Sequence, residues 1–210
     1  MPSEVITFEK ELLSYPGVLD HKGVHHEFFN GDHGPKVNMD AIPANSRLFS
    51  QWVTVTASFL RNIYDPHELQ GAVLLSVANG TNRLVEPVSD ELDGITVPLE
   101  TEKDNNKQVF LSDYARQYIN LARPPLVIAL EDVGTTGMSA AMAVADAIKA
   151  GAKRAEVATT FQRRHRLEVL LGIGAVHHSI IKHVIEDFSP EECREAGYCA
   201  RDWSLIKYGE

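Results

Sequence analysis

Long apolar runs are missing from this sequence: none approaches the roughly 20 residues that a membrane-spanning helix needs. The start, Met1-Pro2-Ser3-Glu4-Val5, lacks a basic stretch followed by an apolar one, so no secretory signal is expected and the cytoplasm is the expected location. Cysteine is scarce, with only Cys193 and Cys199 in 210 residues. That excludes a disulfide-built scaffold, and the two are expected to be ordinary reduced thiols. Positive charge is also short. A formal net charge of -9 argues against a general nucleic-acid binder, which needs a concentrated cationic surface. A small polyanion held by a few local donors and a metal ion remains compatible with that balance.

What is present is a chain long enough for one ordinary domain, without repeats, low-complexity tracts or a long linker. The first 47 residues are rich in His, Gly and Asn. A short helix at 8–14 and strands near 27–29 and 36–39 are predicted there. Phe49, Trp52, Val53, Phe59, Leu60 and Ile63 recur at helical spacing and predict a long helix over 46–64. Apolar runs at 72–77 and 126–130 read as strands buried on both faces. Further strands are predicted at 95–99, 156–161 and 175–180, with helices at 82–89, 112–121 and 138–149, the last closed by Gly151. Residues 100–108, ETEKDNNKQ, hold no apolar residue and read as a mobile loop. This alternation implies an α/β fold: a parallel twisted sheet with helices on both faces, binding ligands beyond the C-terminal strand ends.

The segment Leu126-Val127-Ile128-Ala129-Leu130-Glu131-Asp132-Val133-Gly134-Thr135-Thr136-Gly137-Met138-Ser139 concentrates the chemistry. An apolar strand leads to two carboxylates, then to a tight turn and a helix start. A helix N-terminus offers unpaired N–H groups and partial positive charge to a phosphate. Gly134 and Gly137 permit positive φ and close approach of backbone. Thr135, Thr136 and Ser139 add hydroxyl donors, while Glu131 and Asp132 can accept from sugar hydroxyls. Met138 stands where a nucleoside-triphosphatase loop requires Lys followed by Ser or Thr, and the dinucleotide glycine spacing is absent.

This stretch resembles the phosphoribosyl-pyrophosphate (PRPP) signature of type I phosphoribosyltransferases, and its Glu131-Asp132-Val133 form is similar to that of the orotate enzymes. Val77-Ala78-Asn79-Gly80-Thr81 resembles the family's pyrophosphate loop, so Ala78, Asn79 and Gly80 are implied PRPP contacts. The 100–108 stretch falls where the family has its catalytic loop, which implies a catalytic role for Lys103 beside Asp132. Glu100, Asn105 and Gly80 stand where basic residues are common in the family. Arg163 lies where orotate enzymes bind the base's carboxylate, with Arg164 and Arg166 as neighbouring alternatives. The resemblance also implies a core at about 48–186 under a hood formed by 1–47 and 187–210. Its further implications are Mg²⁺ carried mainly by PRPP, a homodimer, and transfer of ribose 5-phosphate to a nitrogenous base, orotate foremost. A transferase for a purine or other base, and a non-catalytic PRPP-binding regulator, are the alternatives.

His25-His26, His165 and His177-His178 are the tempting zinc ligands. Adjacent residues in a strand point to opposite faces, and His26-Glu27-Phe28-Phe29-Asn30 fails the His-Glu-x-x-His pattern at its last position, so no protein metal site is expected.

Overall fold

The structure, a computed structural model, describes residues 3–19, 23–28, 31–77, 79–105 and 108–207. In chain order its elements are α1 (Ser3–Ser14), β1 (Val24–Glu27), β2 (His33–Gly34), a 3-10 turn (Met39–Ala44), α2 (Ser46–Ile63), α3 (Pro66–Leu69) and β3 (Val73–Ser76). Next come α4 (Asn82–Glu91), β4 (Val97–Lys103), β5 (Val109–Leu111), α5 (Asp113–Ala122), β6 (Val127–Gly134), α6 (Met138–Ala150) and β7 (Ala155–Gln162). The chain finishes with α7 (Glu168–Gly172), β8 (His177–Lys182), α8 (Pro190–Glu195) and β9 (Ser204–Ile206).

Six strands form one sheet in the order β5-β4-β3-β6-β7-β8, parallel throughout except for β5 at its edge. Successive side chains of a strand point to opposite faces, so each central strand serves two cores. Leu74, Ile128 and Leu130 pack with Phe8 of α1, Trp52 and Leu60 of α2 and Val88 of α4. Val73, Leu75, Val127 and Ala129 face the other way, against Ala115 and Ile119 of α5 and the alanine-rich side of α6. Apolar runs without alternation thus become strands covered on both sides, as an α/β sheet requires. Trp52 satisfies its one polar atom inside this core, with Nε1 donating to Thr160 Oγ1 over 2.7 Å.

Helix ends follow local chemistry. The Asn45 side chain accepts from Leu48 N–H and starts α2, Ser112 does the same for α5, and Gly151 at φ 115° closes α6.

The chain departs from expectation at 100–108. Glu100–Lys103 belong to β4, which pairs parallel with β3 and antiparallel with β5, so the feature is a hairpin. No apolar side chain is needed because the backbone ladder supplies the pairing. Only Thr101 turns inward, donating from Oγ1 to Ser76 O at 2.8 Å, while Glu100 and Glu102 point outward. Arg116 then clasps Asp146 of α6 through two hydrogen bonds of 2.8 and 3.0 Å, and Asp146 also accepts from Leu111 N–H. The N-terminal strands are displaced as well. Val37 makes only an isolated bridge to Leu19, and Met39 already opens the 3-10 turn. β1 and β2 instead pair with each other, and β9 joins β1 in parallel to give a separate three-stranded sheet. No described helix is long and apolar enough to cross a membrane.

Candidate functional site

The order β4-β3-β6-β7 has its switch point between β3 and β6: the chain moves outward from β3 to β4, then returns to place β6 on β3's other side. Ligands of open α/β sheets bind beyond the strand ends at such a point. The turns that follow β3 and β6 meet there. Val77 N–H donates to Leu130 O, and Thr81 Oγ1 both donates to Leu130 O at 2.8 Å and accepts from Val77 N–H at 3.1 Å. These bonds hold the turn after β3 against the end of β6. Gly80 lies so close to Asp132 that any side chain at position 80 would collide with the Asp132 carboxylate. A lysine there would require the Asp132 side chain to shift. Ala78 lies outside the described residues; Asn79 begins the short 3-10 turn Asn79–Thr81.

β6 runs to Gly134, so Glu131 and Asp132 sit on the strand itself. Glu131 is buried, and its Oε2 has no hydrogen-bond partner among the described residues. Burial, and then the charge of Asp132, push its pKa up to about 8, against the pull of Lys103. Asp132 also titrates above its ordinary range, chiefly from burial. The Val133 N–H, which its Oδ1 accepts at 2.7 Å, opposes that rise, and the charge of Asp40 adds to it. The charge of Lys103, exposed at the end of β4, thus bears on both carboxylates. Asp40 comes from the 3-10 turn and had no signal in the sequence; tertiary folding alone brings it near.

The Gly134–Gly137 turn shows a division of labour. Only Gly137 takes positive φ, 78°, where it caps α6 without a side-chain hydrogen bond. A Cβ on Gly137 would lie 2.7 Å from Leu170 Cγ, and one on Gly134 would lie 2.9 Å from Leu167 Cδ1. Gly134 is therefore required by packing against the segment after β7, and positive φ is not its reason. Thr135, Thr136 and Ser139 are partly exposed around the helix start, with Thr136 Oγ1 accepting from Met138 N–H at 3.4 Å. First-turn amides left open in this way are ready partners for an anion.

Arg163 is placed differently from its expected role. It is 2% exposed, paired with Asp187 and covered by the Phe28 ring, whose centroid lies 4.5 Å from Cζ. A guanidinium already neutralised and enclosed presents no open face to a base. Arg164 also pairs with Asp187, at 2.9 Å, and with Asp32 at 2.7 Å. Arg164 and exposed Arg166 line a cleft of about 710 Å³ beside the end of β7, and Arg166 makes no ion pair among the described residues.

No protein-family model matches the sequence, nor does any curated protein. Solved structures do resemble it in shape. Orotate phosphoribosyltransferase from Aeropyrum pernix superposes with a TM-score of 0.59 at 17% identity, covering 85% of this chain and 92% of that one. Adenine phosphoribosyltransferase from Saccharomyces cerevisiae gives 0.59 at 16%, covering 84% and 99%. The Mycobacterium tuberculosis orotate phosphoribosyltransferase in complex with inorganic phosphate gives 0.55 at 15%, covering 87% and 96%. The six-stranded sheet with its flanking helices is the type I phosphoribosyltransferase fold.

Proposed function

We propose that this protein transfers ribose 5-phosphate from PRPP to a nitrogenous base with release of pyrophosphate. The observation that carries the reading is Glu131 Oε2: a buried acceptor without a donor, beside Asp132, at the sheet's switch point. Leaving such an atom unsatisfied is unfavourable by about 1–3 kcal/mol, and a sugar hydroxyl removes the deficit. Structural kinship with both orotate and adenine enzymes supports the reaction class and leaves the base to experiment.

In this reading the amides and hydroxyls of Gly134, Thr135, Thr136, Gly137 and Ser139 hold the 5′-phosphate and so position C1 of the ribose. Ala78, Asn79 and Gly80 take the pyrophosphate on backbone N–H groups. As the C1–O bond to pyrophosphate breaks, positive charge grows on the ribose; Asp132 tempers it, and Glu131, protonated in the free chain, joins it once substrate binding releases that proton. Lys103 offsets the charge on the departing oxygens, and the nitrogen of the base closes the new bond at C1. The hard oxygen donors of Glu131, whose Oε2 has no partner among the described residues, and of Asp132 suit a magnesium ion, and these are the residues that would help to hold one brought in by the pyrophosphate. What that ion supplies when bound is neutralisation of the leaving group.

For the acceptor we propose orotate. The cations after β7 suit a carboxylate-bearing pyrimidine, with Arg166 in the accessible position and Arg163 engaged only if Asp187 lets go. A homodimer, in which the β4–β5 hairpin reaches a neighbouring site, belongs to the same proposal. A second reading, a purine transferase, draws support from the internal neutralisation of Arg163 by Asp187. A third, a PRPP-binding regulator without turnover, draws support from Glu100, an exposed acid on β4 where the resemblance leads one to expect a cation. Pyrophosphate release should be measured with PRPP, Mg²⁺ and a base panel of orotate, uracil, adenine and hypoxanthine, with calorimetry of PRPP binding alongside. Release with orotate supports the first reading. Release with a purine alone selects the second, and binding without release the third. No binding of PRPP at all overturns all three.

A further inference from the structure

The small sheet has almost no apolar core. None of the described residues among 23–34 and 188–207 belongs to either buried cluster of the domain; Cys193 and Tyr198 are buried there but lie outside both. The segment's order rests on short β pairings, on rings such as Tyr198 and Trp203 at 4.9 Å, and on four polar side chains at its centre. His25 of β1, His33 of β2, Cys193 of α8 and Cys199 just beyond it have their ligand atoms all within 4.8 Å of one another. Three of the four are buried, His25 completely.

We propose that His25, His33, Cys193 and Cys199 form a tetrahedral zinc site that fastens the N-terminal hairpin to the C-terminal segment. Distances decide the geometry. With Zn–S near 2.3 Å and Zn–N near 2.05 Å, a tetrahedron has N···S edges of about 3.6 Å. The observed N···S separations are 3.3 Å for His25 Nε2 to Cys199 Sγ, 3.8 Å for His25 Nε2 to Cys193 Sγ and 3.5 Å for His33 Nδ1 to Cys199 Sγ. The donor set is two imidazoles and two thiols, the Cys₂His₂ combination of structural zinc. Both cysteines are free, so neither sulfur is consumed in a disulfide. On binding, the two thiols release their protons to solvent, and two thiolates balance the charge of the ion.

The faces of β1 explain why the histidines looked unpromising in the sequence. Alternation forbids His25 and His26 from ligating together, yet it does not forbid one of them. His25 stands on the same face as Glu27, whose register partner across the hairpin is His33. The cysteines arrive from 166 to 174 positions away in the three close His–Cys pairs, a separation no local spacing rule can detect. Closing so long a loop with a metal compensates a segment too small to bury a core of its own.

The test uses the untagged full-length protein, purified under reducing conditions without chelator. Elemental analysis should find one zinc per chain. Replacement by cobalt should give the intense visible bands of a tetrahedral ion together with thiolate-to-cobalt charge transfer. Cys199→Ser, at the least buried position, should weaken zinc retention at least tenfold, and chelation should lower the melting temperature reversibly. Folded protein without zinc that also fails to take up cobalt, a six-coordinate cobalt spectrum, undiminished zinc in Cys193→Ser/Cys199→Ser, or a Cys193–Cys199 disulfide found by mass would each overturn the proposal. The cobalt spectrum is read on the wild-type chain, so a variant that fails to fold does not remove the test.

Discussion

Glu131 and Arg163 are both buried ionisable residues at the C-terminal ends of neighbouring strands, yet the protein treats them in opposite ways. Arg163 has a carboxylate, Asp187, and an aromatic lid, Phe28. Glu131 has an oxygen with nothing to meet and a second carboxylate beside it. Arg163 meets an opposite charge, although its Nε has no hydrogen-bond partner among the described residues; Glu131 meets none, is kept protonated by burial, and its Oε2 is open to a ligand. The comparison breaks most visibly at Arg163. Arg163→Met should lower the unfolding free energy by about 3 kcal/mol in urea titration, because an uncompensated partner stays buried. Arg164 keeps one oxygen of Asp187 engaged, which holds the loss near the low end of that range. A loss below about 1 kcal/mol would mean that the pair is no fastening.

On the other side of the comparison, Asp132→Asn should cut turnover about 100-fold, or ~2.7 kcal/mol of transition-state stabilisation, while the chain still unfolds cooperatively in urea. Full activity in that variant would remove Asp132 from the chemistry. Glu131→Gln sharpens the contrast through pH. The folded chain keeps a proton on Glu131 up to about pH 8, whereas the unfolded chain releases it near 4.5. The folded state thus binds more protons in that window, and stability falls as pH rises from about 4.5 to about 8, then levels. Raised Asp132 adds to the same slope. Glu131→Gln should match the wild type near pH 5 and exceed it by about 4 kcal/mol near pH 8, measured without ligand. Identical pH slopes in the two proteins would show that Glu131 is not the buried titrating group.

The sheet was legible because burial on two faces writes itself as uninterrupted apolar runs: 72–77 and 126–130 became β3 and β6, although β6 continues four residues further. The glycine turns after β3 and β6 were legible as turns for a related reason, since a strand, a glycine turn and a helix start are all local. The hairpin at β4–β5 was not, because its pairing lies in backbone hydrogen bonds that leave no apolar mark. Nor was Asp40, or the meeting of His25 with Cys199, as both depend on contacts between distant segments. Arg163 shows a subtler failure. Its position after β7 was right, but its partner Asp187 sits 24 residues later, and no spacing rule announces that a cation is already taken.

Lys103 offers the finest division between fastening and function. It is exposed, no ion pair holds it among the described residues, and its charge reaches both carboxylates of β6. A solvated lysine of this kind adds little to stability, so Lys103→Ala should leave the urea midpoint where it is. If the lysine meets the departing pyrophosphate, kcat should fall about tenfold, ~1.4 kcal/mol, while the calorimetric affinity for PRPP changes by less than about twofold. Equal losses in kcat and in affinity would mean that Lys103 holds the substrate without favouring the transition state. No loss in either would make the cation a passenger at the end of β4, and the burden of charge neutralisation would then rest on the amides around Gly80 and the ion that the pyrophosphate brings.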